Sequence, residues 1–415
     1  MHLLRSLFVL ICLSQFMLPM PAVAQSKSPT SARAHAQKPV APQKIIDGYA
    51  DIDKKALQVP DTSTTTTEGI AAYINANFSR NSDKARAAFI WIATNIQYDI
   101  ANMFAINFYE KKEEKIAKPL RTRKGICENY AALFTDICSR AGVRTFTVEG
   151  YTKQNGFADY IPHAWCAAFI DTAWFLFDPT WGSGYVSNGK FFTKINNDYF
   201  QVRPSVFVRT HMPFDYLWQF LSYPVSNQEF YEGKTEQNKT KPLFNYSDSI
   251  SAFEKLSEPE AWQAEADRIE KNGVKNSMIF DRLQHLRREI ETERQSSIVS
   301  RYNSALGDFN KSISSFNAFI DYHNKQFQPM KPDPEIQAML DASDRPLTEA
   351  SSKLDQIKGA DLNTSALIAS FRKQITDLKA RIDEQQEWLK KYFSKGKSGR
   401  KSMFTKYTWF GIPLN

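Results

Sequence analysis

Three side chains suited to a thiol nucleophile, its base and an orienter fall within one stretch, Arg123 to Gly184. Cys127 heads a run in which Tyr130, Phe134 and Ile137 keep the spacing of a helix face, and Gly142 stops it. Gly125, just before, permits a tight turn. A cysteine at a helix start meets unpaired N–H groups and the positive dipole end, both of which favour thiolate. Its own backbone N–H would point at the oxygen of an attacked carbonyl, half an oxyanion hole. His163 follows 36 residues on and Asp178 a further 15. With Asp171-Thr172 as a two-residue loop, Ile170 pairs with Ala173 and Trp165 stands opposite Asp178. Asp178 is then diagonal to His163 on one face, roughly 7–8 Å away between backbones, a gap that two side chains can close. It can accept from one imidazole nitrogen while the other faces Cys127.

The remaining candidates read as structural. Strand alternation puts Ala164 and Cys166 on the face opposite His163 and Trp165, so Cys166 is expected to be packed. Cys138 lies eleven residues from Cys127, about 16 Å along a helix axis, too far to bridge, and reads as a core thiol. His211 is the main competitor for the base, but it sits in an aromatic-rich stretch where a packed histidine is expected. His285 and His323 lie in helical surroundings, and no Cys/His spacing suggests zinc or any other cofactor.

The elements that must position these residues can be taken in order. Thr65-x-x-Glu68 reads as a capping box for a helix carrying Ile70, Ile74 and Phe78. Ser82 caps a second helix, Asp83 to about Asn95, and a looser segment rich in Lys and Glu follows to about Lys118. Val143 to Tyr151 reads as a strand. Asn155-Gly156 and Asn188-Gly189 mark turns, and Ala164–Ile170 with Ala173–Asp178 forms a hairpin. Asp198 to Phe230 is aromatic-rich and is expected to wrap the domain. From about Ser247 the texture turns helical. Tyr302 to Ile320 and Ile368 to Ile382 form two apolar seams, with Pro329, Pro332 and Pro334 between them. Each seam lasts under three heptads, which suits a small antiparallel bundle better than a long coiled coil.

At 415 residues, 42% hydrophobic and 24% charged, the chain is a globular protein expected to hold two domains. The division expected is a leader over 25–44, a catalytic domain over 45–240, a helical accessory region over 247–393 and a basic aromatic tail over 394–415. Residues 1–24 read as a Sec signal peptide: Arg5, an apolar run from Leu7 to Leu18, then Ala22-Val23-Ala24. A periplasmic or secreted address follows. A lipoprotein reading through Cys12 is poor, since Ile11 precedes it. No stretch has transmembrane length. Cleavage leaves three cysteines, so at least one thiol stays free. The net charge of +8 falls to +7 with the signal removed, a spread surplus that does not call for nucleic acid. The tail, dense in Lys and aromatics, reads as a solvated tail with docked rings rather than a polymer- or membrane-binding one.

Taken together, Gly-x-Cys-x-x-Tyr-Ala at 125–131, His163-Ala164-Trp165 and Asp178-Pro179-Thr180-Trp181-Gly182 resemble the bacterial transglutaminase-like superfamily, in its branch similar to kyphoscoliosis peptidase. Ala85 to Ile92 followed by Ile96-Gln97-Tyr98-Asp99 looks like that family's upstream helix. The resemblance covers roughly Ala50 to Phe230 and implies an α+β, papain-like core with Cys127, His163 and Asp178 as triad. It also implies acyl transfer through a thioester resolved by water or an amine. The family commonly has Asn after His-Ala-Trp, where this chain has Cys166. Two functional classes stay open. One is a cysteine peptidase or amidase acting on protein or peptide, cell-wall peptide included. The other is an inactive binding or scaffold protein that docks partners through its helical region.

Overall fold

Among the described residues, four α-helices come before Cys127: α1 (Ala50–Ala56), α2 (Thr67–Asn77), α3 (Asn81–Asn95) and α4 (Lys112–Thr122). The structure, a computed structural model, describes residues 48–154, 157–404, 406–407 and 413–414. α2 begins one residue later than a box on Thr65 would have it. Thr66 is the cap, its Oγ1 accepting from the Gly69 N–H at 3.1 Å, and Glu68 pairs instead with Arg140 at 2.7 Å. α4 occupies what the sequence presents as a looser segment. Its Ile116 and Leu120 pack on the core, and the Lys115 ammonium donates to the Phe108 carbonyl at 2.7 Å. Those tertiary contacts stabilise a Lys/Glu-rich helix that has few apolar side chains and carries Pro119 inside it. Between α3 and α4 lies β1 (Gln97–Tyr98), which pairs in parallel with β2 (Lys124–Gly125) directly before α5 (Cys127–Arg140).

The sheet follows: β3 (Thr145–Gln154), β4 (Phe157–Ile170), β5 (Ala173–Phe177), a separate hairpin β6 (Gly184–Ser187) and β7 (Lys190–Thr193), a short helix α6 (Pro204–Phe207), and β8 (His211–Pro213). Four strands pair antiparallel in the order β5-β4-β3-β8. The β4–β5 register is the expected one, Ile170 opposite Ala173 and Cys166 opposite Phe177, with Asp171 in the left-handed conformation at φ +55°. α5 lies on one face, where Phe134 meets Phe177 at 5.1 Å between ring centroids and the Cys166 thiol donates to the Ala131 carbonyl at 3.5 Å. The aromatic-rich stretch covers the other face: Phe207, Leu217 and Phe220 cluster with Trp165 and Trp174. Each large apolar side chain so buried contributes about 1.5–3 kcal/mol, which holds the sheet between two apolar layers.

Seven further α-helices follow among the described residues: α7 (Asn227–Tyr231), α8 (Tyr246–Phe253), α9 (Glu258–Asn272), α10 (Ser277–Asn324), α11 (Asp333–Asp355), α12 (Leu362–Phe393) and α13 (Lys397–Ser402). Two apolar seams become three long helices, because α11 hides behind its prolines. Pro332 and Pro334 stand at its start, where a missing N–H costs nothing, but Pro346 lies inside it. Leu340, Leu347, Ala350 and Leu354 pack into a core shared with α10 and α12, and the Ser312 hydroxyl donates to the Ser343 carbonyl one turn before Pro346. The start of α10 belongs to a different core. Met278, Ile279, Leu283 and Leu286 cluster with Tyr151, Phe214 and Phe230, and Arg282 reaches Glu149 on β3 at 3.0 Å. Residues Tyr49–Asn415 accordingly form one compact unit. In the basic tail, Phe404 docks on Trp388 and Tyr392. The expected signal peptide, the leader, the Asn155-Gly156 turn and most of the chain after Phe404 lie outside the described residues. Among those described, no helix is long and apolar enough to cross a membrane.

Candidate active site

Cys127 is the first residue of α5, and its surroundings are built from the helix start upward. The Asn129 side chain folds back so that its Oδ1 accepts from the Ile126 N–H at 2.9 Å, while its Nδ2 donates to the Lys115 carbonyl on α4 at 3.0 Å. A Cβ on Gly125 would sit 2.8 Å from the Asn129 Cβ, so glycine serves this fold-back rather than a left-handed turn. The Tyr130 hydroxyl donates to the Ile96 carbonyl at 2.6 Å, which ties α5 to the strand carrying Tyr98. Glu128 accepts from the Asn107 N–H at 3.1 Å and pairs with Lys115 at 3.4 Å. The start of α5 is therefore held from three sides.

His163 on β4 and Asp178 just past β5 are brought together by the hairpin register: His163 Nε2 lies 2.8 Å from Asp178 Oδ2. The other carboxylate oxygen accepts from the Thr180 and Trp181 N–H groups at 2.8 and 3.0 Å. Asp178 is wholly buried, and burial alone would push its carboxyl up. The charge of His163, with hydrogen bonds from His163 and His211, holds it well below the usual carboxylate range instead. Burial likewise pushes the His163 ring down, but the charge and hydrogen bond of Asp178, joined by a hydrogen bond to Cys127, hold it up at about 10. All three predicted side chains thus meet in one place, and Cys127 itself is 1% exposed.

Residues 68–179 match the family model of the transglutaminase-like superfamily. This stretch is a transglutaminase-like core. Human kyphoscoliosis peptidase is 38% identical over 196 residues, covering 45% of this chain and 28% of that protein. Drosophila melanogaster hillarin is 24% identical over 204 residues, covering 44% of this chain and 24% of its own. The chain thus spans less than a third of the length of these relatives. A solved TGase structure is similar at 19% identity over 36% of this chain and 37% of its own, with a TM-score of 0.22, too low to bear on the fold.

Around this transglutaminase-like core the structure adds a residue that local sequence pattern assigned to packing. His211, on β8 at the sheet edge, is buried against Phe207, its ring 3.9 Å away, and its Nε2 also lies 3.2 Å from Asp178 Oδ2. Only the pairing of β8 with β3, across a sequence gap of about sixty residues, brings it there. His163, Asp178 and His211 are the one cluster of three potential metal ligands among the described residues, with ligand atoms within 4.8 Å of one another. Asp178 Oδ2 already faces both rings, so an ion there would have to replace these hydrogen bonds. Beside His163 opens a cleft of about 700 Å³, walled by Tyr98, Trp181, Tyr185, Phe191 and Tyr199. Among the described residues Lys153 is the one lysine or arginine that lines it, and no described carboxylate does. Tyr98 both lines the cleft and stands close enough to Cys127 for a thiolate there to raise the phenol, after burial the largest cause of its high proton affinity.

Proposed function

We propose that the chain is a cysteine acyl-transfer enzyme, a peptidase or amidase rather than a crosslinker, with Cys127 as nucleophile, His163 as acid–base and Asp178 as orienter. The observation that carries this is His163, bonded through Nε2 to a buried carboxylate and facing a cysteine at a helix start. The imidazolium and the helix dipole both stabilise a thiolate. That thiolate attacks an amide carbonyl; the carbon–nitrogen bond breaks as His163 gives its proton to the leaving amine, and a thioester remains. A water then gives a proton to His163 and attacks the thioester, releasing the acid and regenerating the thiolate. In this reading the Cys127 N–H and the Tyr98 phenol, which keeps its proton at any ordinary pH, stabilise the oxyanion.

The cleft supports a protein or peptide substrate presenting a large apolar side chain, since its described walls are aromatic and Lys153 among them disfavours Lys and Arg. Hydrolysis is preferred because the relative of 38% identity carries the name peptidase. The Leu7–Leu18 run with Ala22-Val23-Ala24 supports export, and the helices over 247–393 act as an accessory region. One observation favours a binding role instead: Cys127 is almost fully covered, as an unused thiol would be. Intact-mass profiling separates the two. Incubation with iodoacetamide near neutral pH should modify Cys127 ahead of Cys138 and Cys166, and peptide amides should leave an acyl adduct that Cys127→Ala abolishes. A Cys127 no more reactive than Cys138, whose thiol burial pushes far up, sinks the enzymatic reading.

A further inference from the structure

Asp178 carries two histidines, and an acyl-transfer triad needs one. Its Oδ2 lies 2.8 Å from His163 Nε2 and 3.2 Å from His211 Nε2. An ionised carboxylate only accepts, so each ring must present an N–H to the same oxygen. On the far side of His211, Thr210 Oγ1 lies 2.8 Å from Nδ1, and Thr210 lines the cleft. The His211 ring is stacked on Phe207 and set edge-on to Trp181 at 4.7 Å and Trp165 at 5.2 Å, so it cannot swing away.

We propose that His211 is a positioning residue acting through Asp178: by donating to Asp178 beside His163, it moderates how firmly that carboxylate holds the His163 proton. The inference rests on the triad reading above. A carboxylate serving one imidazolium alone would bind its proton tightly and leave a poor acid for the departing amine; shared between two donors, it holds the ring in place at lower proton affinity. Asp178 does not depend on His211 to stay in position, because Thr180 and Trp181 hold its other oxygen. The titratable groups around this cluster are Cys127 from α5, Tyr98 from β1, Cys166 from β4 and Tyr199 after β7; the Cys166 thiol and the phenols of both tyrosines are raised by burial first and by Asp178 in part. None of them supplies a second donor to Oδ2 among the described hydrogen bonds.

The test titrates ring-¹⁵N-labelled histidines by NMR in the full chain, as wild type, His211→Phe and His211→Gln. Phenylalanine keeps a ring against Phe207 and removes the donor; glutamine can bring an amide N–H near the Nε2 position. The His163 step should move up by about one pH unit in His211→Phe, the worth of one charge-assisted hydrogen bond, and return at least half-way in His211→Gln. A folded His211→Phe whose His163 step stays within about 0.2 units of wild type overturns the inference, as does a shift that glutamine does not reverse. Should His211→Phe fail to fold, His211→Gln against His211→Leu is read in the same way. Iodoacetamide capture of Cys127 runs alongside: an inert wild-type Cys127 refutes the enzymatic reading, while the histidine titration still decides the role of His211.

Discussion

Replacing Asp178 with Asn removes one charge and keeps the shape, and the structure says what must follow. The wild-type His163 ring keeps its proton to about pH 10 because Asp178 offsets the burial that would otherwise push it down. Raised from an ordinary value near 6.5, that proton affinity stabilises the fold fully below about pH 6.5 and is lost as pH rises through about 10. A rise from about 6.5 to about 10, at ~1.4 kcal/mol per pH unit, sets an upper bound of about 5 kcal/mol on this contribution. In Asp178→Asn it disappears, and the ring, still buried, gives up its proton below the ordinary value. Asn also turns an N–H toward rings that themselves donate, so one imidazole must change tautomer. Urea unfolding at about pH 6, 8 and 10.5 measures the effect. Wild type should lose several kcal/mol between the first and last, and the variant should lose much less. Iodoacetamide capture at neutral pH should fall by at least tenfold, since the thiolate loses its imidazolium partner. Equal alkaline losses in both proteins would refute the assignment of His163 and Asp178 as a charged pair.

Other outcomes follow from the same geometry. Tyr98→Phe should leave the fold intact and slow acyl-enzyme formation by roughly 10²-fold, the usual cost of one oxyanion donor; an unchanged rate removes Tyr98 from the site. Gly182→Ala should destabilise by about 1–3 kcal/mol, because its Cβ would meet Phe89 Cζ at 2.2 Å and the Asp178 carbonyl at 2.9 Å, and thermal melts read this directly. Arg86→Ala should cost about 3–5 kcal/mol: Arg86 is buried, donates twice to Asp53 at 2.7 Å and once to Asn197 at 2.7 Å, and stacks on Tyr49. Arg282→Met should strand Glu149, and proteolysis should then release α10 from the sheet domain before the bundle core opens.

Local pattern decided much about this protein. Period-2 alternation and a two-residue loop were enough to set the β4–β5 register, because a slip by one residue would turn Trp165 and Cys166 to the wrong faces; Asp178 beside His163 follows from that register alone. Gly142 ended α5 and the apolar spacing within it marked its buried face, both being properties of a single helix. What the tertiary structure decided involves residues far apart in the chain. α4 exists because Lys115 and Ile116 find partners on α5 and the core, which no window around them records. α11 tolerates Pro346 because α10 and α12 bury its other faces. The need for glycine at 125 lies in the returning Asn129 side chain, not in its own backbone angle. His211 reads as a packed aromatic neighbour in sequence, and packed it is. Its hydrogen bond to Asp178 arises only when β8 closes the sheet on β3, since nothing in the chain between two residues 33 apart encodes that distance.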